Sequence, residues 1–99
     1  MRQSISRLLV AYDIADDARR DRVAVALQAY GERVQFSIFL VDGKPADFVR
    51  LRATLRRLID PDADRVLLCN LGSLEAARSR AIYLGRPPRL TGDAPHLIL

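Results

Sequence analysis

The chain has no tryptophan, one histidine and one cysteine among its 99 residues. A single thiol excludes an internal disulfide framework and fits a reducing compartment. That thiol belongs to Cys69, inside the apolar run Val66-Leu67-Leu68-Cys69, which implies a buried, inert sulfur rather than a nucleophile. The histidine, His96, stands near the last position. A tail histidine is a poor general base, and no serine–histidine–acid set exists, so acid–base chemistry would rest on carboxylates or metal-bound water. A glycine-rich phosphate loop and a cysteine pair for zinc are missing too. No apolar stretch approaches the roughly 18 residues of a membrane span, and the first residues lack a signal-peptide pattern. The expectation is a cytoplasmic protein without membrane contact.

Lysine is nearly absent as well. Fifteen of the sixteen basic residues are arginine, Lys44 being the exception, and they face twelve acids for a net charge of +4 and a pI near 10.0. The planar guanidinium fork matches phosphate better than an ammonium does. A GC-rich genome produces the same bias, so the charge admits a polyanionic partner without demonstrating one. At this length and 49% hydrophobic content the chain suits one compact domain. Such a domain buries only about two thirds of its unfolded surface, so oligomerisation would reinforce a modest core.

The organising stretch runs from Arg7 to Asp17. Leu8-Leu9-Val10-Ala11-Tyr12 reads as a buried strand ending on Asp13. Asp16 or Asp17 then supplies the N-cap of a helix reaching Tyr30, with Val23, Ala26, Leu27 and Tyr30 as its stripe and Gly31 as a left-handed C-cap. Arg19, Arg20 and Arg22 fall in the first turns, where cations oppose the helix dipole. Between Arg33 and Val41, Val34, Phe36 and Ile38 share one face while Phe39 breaks phase. A bulge or bend near Ser37 would divide the run into two short strands. Asp42-Gly43 signals a turn, and Pro45 opens a helix with Phe48, Leu51, Leu55, Leu58 and Ile59 inward, stopped by Asp60-Pro61-Asp62.

Arg65 to Leu71 reads as a second central strand, Glu75 to Arg80 as one helical turn, and Ala81 to Leu84 as a short strand ended by Gly85. Three prolines make Arg86 to Pro95 a loop or tail, and His96-Leu97-Ile98-Leu99 is apolar again. The order is that of an α+β, ferredoxin-like β-α-β-β-α-β sandwich with an additional C-terminal strand. Residues 1–85 form the domain, and 86–99 an extension docked on it or on a partner subunit. Phe39, Ile82, Leu84 and the Leu97–Leu99 tail are surplus apolar material that a homodimer would cover.

Asp13 leaves the core at the rim of a rigid sheet. Pattern alone favours helix capping for Asp13, Asp16 and Asp17 over metal binding. One strand-end aspartate is a poor magnesium site, but two meeting across a dimer axis would be a reasonable one.

The segments Tyr12-Asp13-Ile14, Asp16-Asp17, Arg20-x-Arg22-Val23 and Gly31-x-Arg33-Val34-Gln35-x-Ser37-Ile38-Phe39 together resemble the CRISPR-associated protein 2 family, from Leu8 to about Leu71. The resemblance implies a ferredoxin-like homodimer whose C-terminal strand packs on its partner. It implies a place in spacer acquisition beside the CRISPR-associated protein 1 integrase, bridging integrase dimers on double-stranded DNA. It also implies, as an alternative, a Mg2+-dependent endonuclease of RNA or double-stranded DNA. Asp13 matches the family's metal-binding and catalytic aspartate. Arg20, Arg22 and Arg33 match motif positions suited to nucleic-acid binding, and Tyr12 and Phe39 match motif positions suited to packing or an interface. Leu40 departs from the acid that many members carry there. A toxin-type ribonuclease of the same fold is a further alternative, and on the fold alone a small-molecule regulatory domain is another.

Overall fold

A computed structural model describes residues 4–90. Strand β1 (Ser6–Asp13) is followed by α1 (Asp17–Gln28), β2 (Glu32–Gln35), β3 (Ile38–Gly43), α2 (Pro45–Leu58), β4 (Arg65–Ser73) and α3 (Leu74–Arg80). The strands form one antiparallel sheet in the order β2-β3-β1-β4. Inward side chains of β1 and β3 pack with Val23 and Leu27 of α1 and with Leu51 and Leu55 of α2 in a single core. Both long helices therefore cover the same sheet face, and the fold is the ferredoxin-like α+β sandwich that the element order implied.

β1 lies in the middle because it satisfies both neighbours. Leu8, Val10 and Tyr12 face the helices, while Arg7, Leu9, Ala11 and Asp13 alternate onto the open face. Arg7 is fully buried there, directly opposite Asp42 on β3, to which it donates twice at 2.7 and 2.9 Å. That pairing holds Asp42-Gly43 in the strand rather than in the turn their composition suggested. Asp16 is the N-cap of α1, accepting from the Arg19 N–H at 2.8 Å.

Several expectations need correction. α1 ends at Gln28 with Ala29 as C-cap, and Gly31 is not left-handed. Gly31 is required by close approach instead: a Cβ there would lie 2.2 Å from the Leu40 carbonyl oxygen and 2.8 Å from Val41 Cγ2. The Arg33–Val41 run does divide, with a turn at Phe36-Ser37 and a register shift between Arg33 and Gln35. Its out-of-phase residue, Phe39, is wholly buried under the helices and contributes nothing to a surface. β4 is an edge strand, not a central one. Its apolar run misled because Val66 and Leu68 pack on the core while Leu67 and Cys69 stand exposed on the open face. Cys69 is therefore not buried within the chain. Glu75–Arg80 belongs to a seven-residue helix, α3. In place of the strand over Ala81–Leu84 there is one bridge residue, Tyr83, followed by Gly85 at φ +77°. His96 and the Leu97–Leu99 tail lie outside the described residues.

Candidate nucleic-acid and metal site

The site is assembled where β1 leaves the sheet and the β2–β3 turn folds over its end. The Tyr12 N–H donates to the Ser37 carbonyl at 3.0 Å, and the Tyr12 hydroxyl donates to the Phe36 carbonyl at 3.3 Å. The Tyr12 ring stacks on Phe39 with centroids 6.3 Å apart and planes at 29°. Tyr12 and Phe39 thus form a buried floor that fixes the turn. Above them Phe36 stays 71% exposed.

Two arginines converge on that exposed ring. Arg20 donates to the Ile14 carbonyl at 3.1 Å and to Asp17 at 2.5 Å, and its guanidinium carbon lies 5.8 Å from the Phe36 ring centroid. Arg33 stands directly opposite Phe39 in the register, 5.3 Å from the Phe39 centroid and 5.8 Å from that of Phe36. Arg22 does not join them. Two residues along an α-helix rotate a side chain by about 200°, and Arg22 is exposed elsewhere on α1.

The acids divide by task. Asp16 caps α1 and Asp17 pairs with Arg20, so both are committed. Asp13 is exposed, and its carboxylate makes no ion pair or hydrogen bond among the described residues. Its register partner is Arg65 of β4, on the open face of the sheet. No group of three or more His, Cys, Asp or Glu side chains comes together among the described residues. One chain therefore offers a magnesium ion a single carboxylate; water, substrate oxygens or a second chain would have to complete six ligands.

Sequence reasoning assigned no role here to three residues that shape this end of the molecule, Arg19, Asp64 and Phe36. Arg19 reaches across to Asp64, donating at 2.6 and 2.9 Å, while Asp64 also accepts from the Asp60 N–H at 2.8 Å. The guanidinium holds the Asp64 carboxyl below the usual carboxylate range, against a burial effect in the other direction, with the Asp60 N–H helping. This bridge pins the start of α1 to the loop before β4. Nothing in the local sequence singles out Asp64 from Asp60 and Asp62. Phe36 was read only as part of an apolar run, although its position in the turn between two strands was a usable signal.

Residues 6–78 match the family described as CRISPR associated protein Cas2. The chain belongs to that family. A Cas2 of Rhodospirillum rubrum, named CRISPR-associated endoribonuclease Cas2 3, is 41% identical over 96 residues, covering 92% of this chain and 99% of that one. The crystal structure of Streptococcus pyogenes Cas2 at pH 6.5 superposes with a TM-score of 0.60 at 32% identity, over 64% of this chain and 82% of that one. A chain in a partial Cas6-RT-Cas1–Cas2 complex shares the fold alone, with a TM-score of 0.59 at 24% identity, over 77% of this chain and 87% of that one. In this member of the Cas2 family Leu40 is half-buried on the open sheet face, opposite Leu9 and Glu32 in the register.

Proposed function

We propose that this chain acts as a homodimer that holds double-stranded DNA and bridges Cas1 integrase dimers during spacer acquisition. The observation that carries this reading is the gathering of two guanidiniums around the exposed Phe36 ring at the end of β1, Arg20 held by Asp17 and Arg33 without an ion pair among the described residues, while Asp13 is the one acid there left uncommitted. Such a surface grips phosphate through charge-assisted hydrogen bonds but lacks, within one chain, the oxygen ligands of a hydrolytic metal centre. Self-association is supported by exposed Leu67, Ile82 and Leu84, which have no cover within the described residues. Covering apolar area contributes about 25 cal/mol per Å². The integrase partnership rests on family membership and on the shared fold of the Cas1–Cas2 chain.

A second reading is favoured by the relative's name, endoribonuclease, and by the free Asp13. Here Asp13 of each protomer would hold a shared Mg2+, which supplies an activated water and neutralises the repulsion between the two acids. Asp13→Asn, tested on one preparation, separates the readings. The bridge predicts that dimerisation, DNA affinity and integrase-dependent spacer capture persist near wild type. The nuclease predicts that Mg2+-dependent cleavage of RNA or DNA is abolished. Loss of spacer capture with an intact dimer and intact DNA affinity would overturn the pure bridge.

A further inference from the structure

We infer that Phe36 is a base-stacking platform, taking an unpaired nucleobase of single-stranded DNA or RNA while Arg20 and Arg33 take the adjoining phosphates. The inference deepens the nucleic-acid reading and rests on it. An aromatic side chain in this small domain has ample opportunity to join the core, as Tyr12 and Phe39 do, yet Phe36 is 71% exposed. Exposure here is not a matter of slack. The backbone of the turn is anchored at both Phe36 and Ser37 by Tyr12, so the ring is presented on a rigid support.

The surroundings select the ligand. Both guanidiniums lie over the ring at 5.8 Å from its centroid, within cation–π range, and the residue is nevertheless 71% exposed, which leaves surface for a further planar group. Arg20 is oriented by Ile14 and Asp17, and Arg33 has no ion pair among the described residues. A planar apolar face bounded by two cations matches a base joined to its phosphodiester, the combination that proteins use to bind single strands. A purely apolar partner would leave two guanidiniums to be desolvated beside it. Bases inside a duplex are already stacked, so the ligand is an unpaired base at a frayed end, a flap or a free strand.

The test uses the full chain and its lack of tryptophan. Phe36→Trp introduces a lone tryptophan whose fluorescence should be quenched on adding oligothymidylate or its RNA counterpart, and unchanged by an abasic oligomer of equal length. Phe36→Ala should weaken binding of both base-bearing strands by about 5- to 150-fold, with the dependence on salt unaltered. Blunt duplex and abasic oligomer should bind as before. Phe36→Leu, which keeps apolar bulk, should not restore affinity. DNA and RNA arms of the titration identify which strand the platform prefers. Equal affinity of wild type and Phe36→Ala for every strand overturns the platform and leaves the nucleic-acid reading standing. Absence of binding by wild type to all the probes overturns that reading itself. Loss of the dimer in Phe36→Ala, seen by sedimentation, makes Phe36 an interface residue and also overturns the platform.

Discussion

Truncating Phe39 to alanine should unfold the domain before it alters any chemistry at the surface. The ring is 0% exposed, shares a core with Val10, Val23 and Leu27, and stacks on Tyr12. Removing a buried phenylalanine ring costs about 3–5 kcal/mol through lost transfer energy and the cavity left behind. Whole domains are stable by only about 5–15 kcal/mol, so the loss is a large fraction of the total. At roughly 4–8 °C per kcal/mol for a domain of this size, the melting midpoint should fall by at least about 12 °C. Phe39→Leu keeps most of the volume and should lose less than about 1.5 kcal/mol. Thermal melts at one fixed protein concentration, because self-association would shift the midpoint, would be read beside nucleic-acid affinity at a temperature where each variant is folded. A Phe39→Ala protein that melts like wild type but no longer binds nucleic acid would refute the reasoning and make Phe39 a contact residue.

Two further outcomes test the frame around the site. Asp64 has its pKa lowered by Arg19, so its contribution to stability is complete above the ordinary carboxylate value of about 4 and is lost as pH falls through the lowered one. Urea midpoints of wild type and Asp64→Asn should therefore differ near neutrality and converge in acid; a difference independent of pH would contradict the bridge. Gly31→Ala should destabilise by about 1–3 kcal/mol or more, since its Cβ meets backbone rather than a movable side chain. The same urea titrations check this, and a stabilised variant, the usual result of Gly→Ala at an unstrained site, would refute it.

Much of the fold was legible because local chemistry and tertiary role agree along most of the chain. The apolar run of β1, the Asp16 cap, Pro45 and the Phe48–Ile59 stripe each do in the structure what their residue types prefer. The failures occur where one local pattern serves two environments. β4 is apolar on both faces, like a central strand, but Leu67 and Cys69 on its outer face have no cover among the described residues. Asp42-Gly43 has turn composition, yet a buried arginine thirty-five residues away keeps Asp42 in a ladder. Arg19 and Asp64 meet across a sequence separation of 45, and no periodicity reports such a pair. Within the site, the motif residues were legible by resemblance, whereas the gathering of Arg20, Arg33 and Phe36 depends on how the β2–β3 turn docks on Tyr12.

The alternation of β1 has a consequence for how the site divides. Tyr12 faces the helices, so the turn it anchors presents Phe36 with Arg20 and Arg33 on the helix side of the sheet end. Asp13 is the next residue and must face the other way, with Ala11 and Leu9, on the open face. A phosphate gripped by the arginines therefore has the sheet rim between it and the carboxylate of the same chain. Cleavage by Asp13 would need the open faces of two protomers to bring their acids together, because the cationic surface and the acid do not converge within one. Binding by the arginine–aromatic cluster would need no such arrangement. It would be a property of one folded chain, which a dimer would double and set at a fixed spacing. Removing the charge of Asp13 should accordingly leave the cluster untouched, and in this geometry gripping nucleic acid and cutting it would be separable acts.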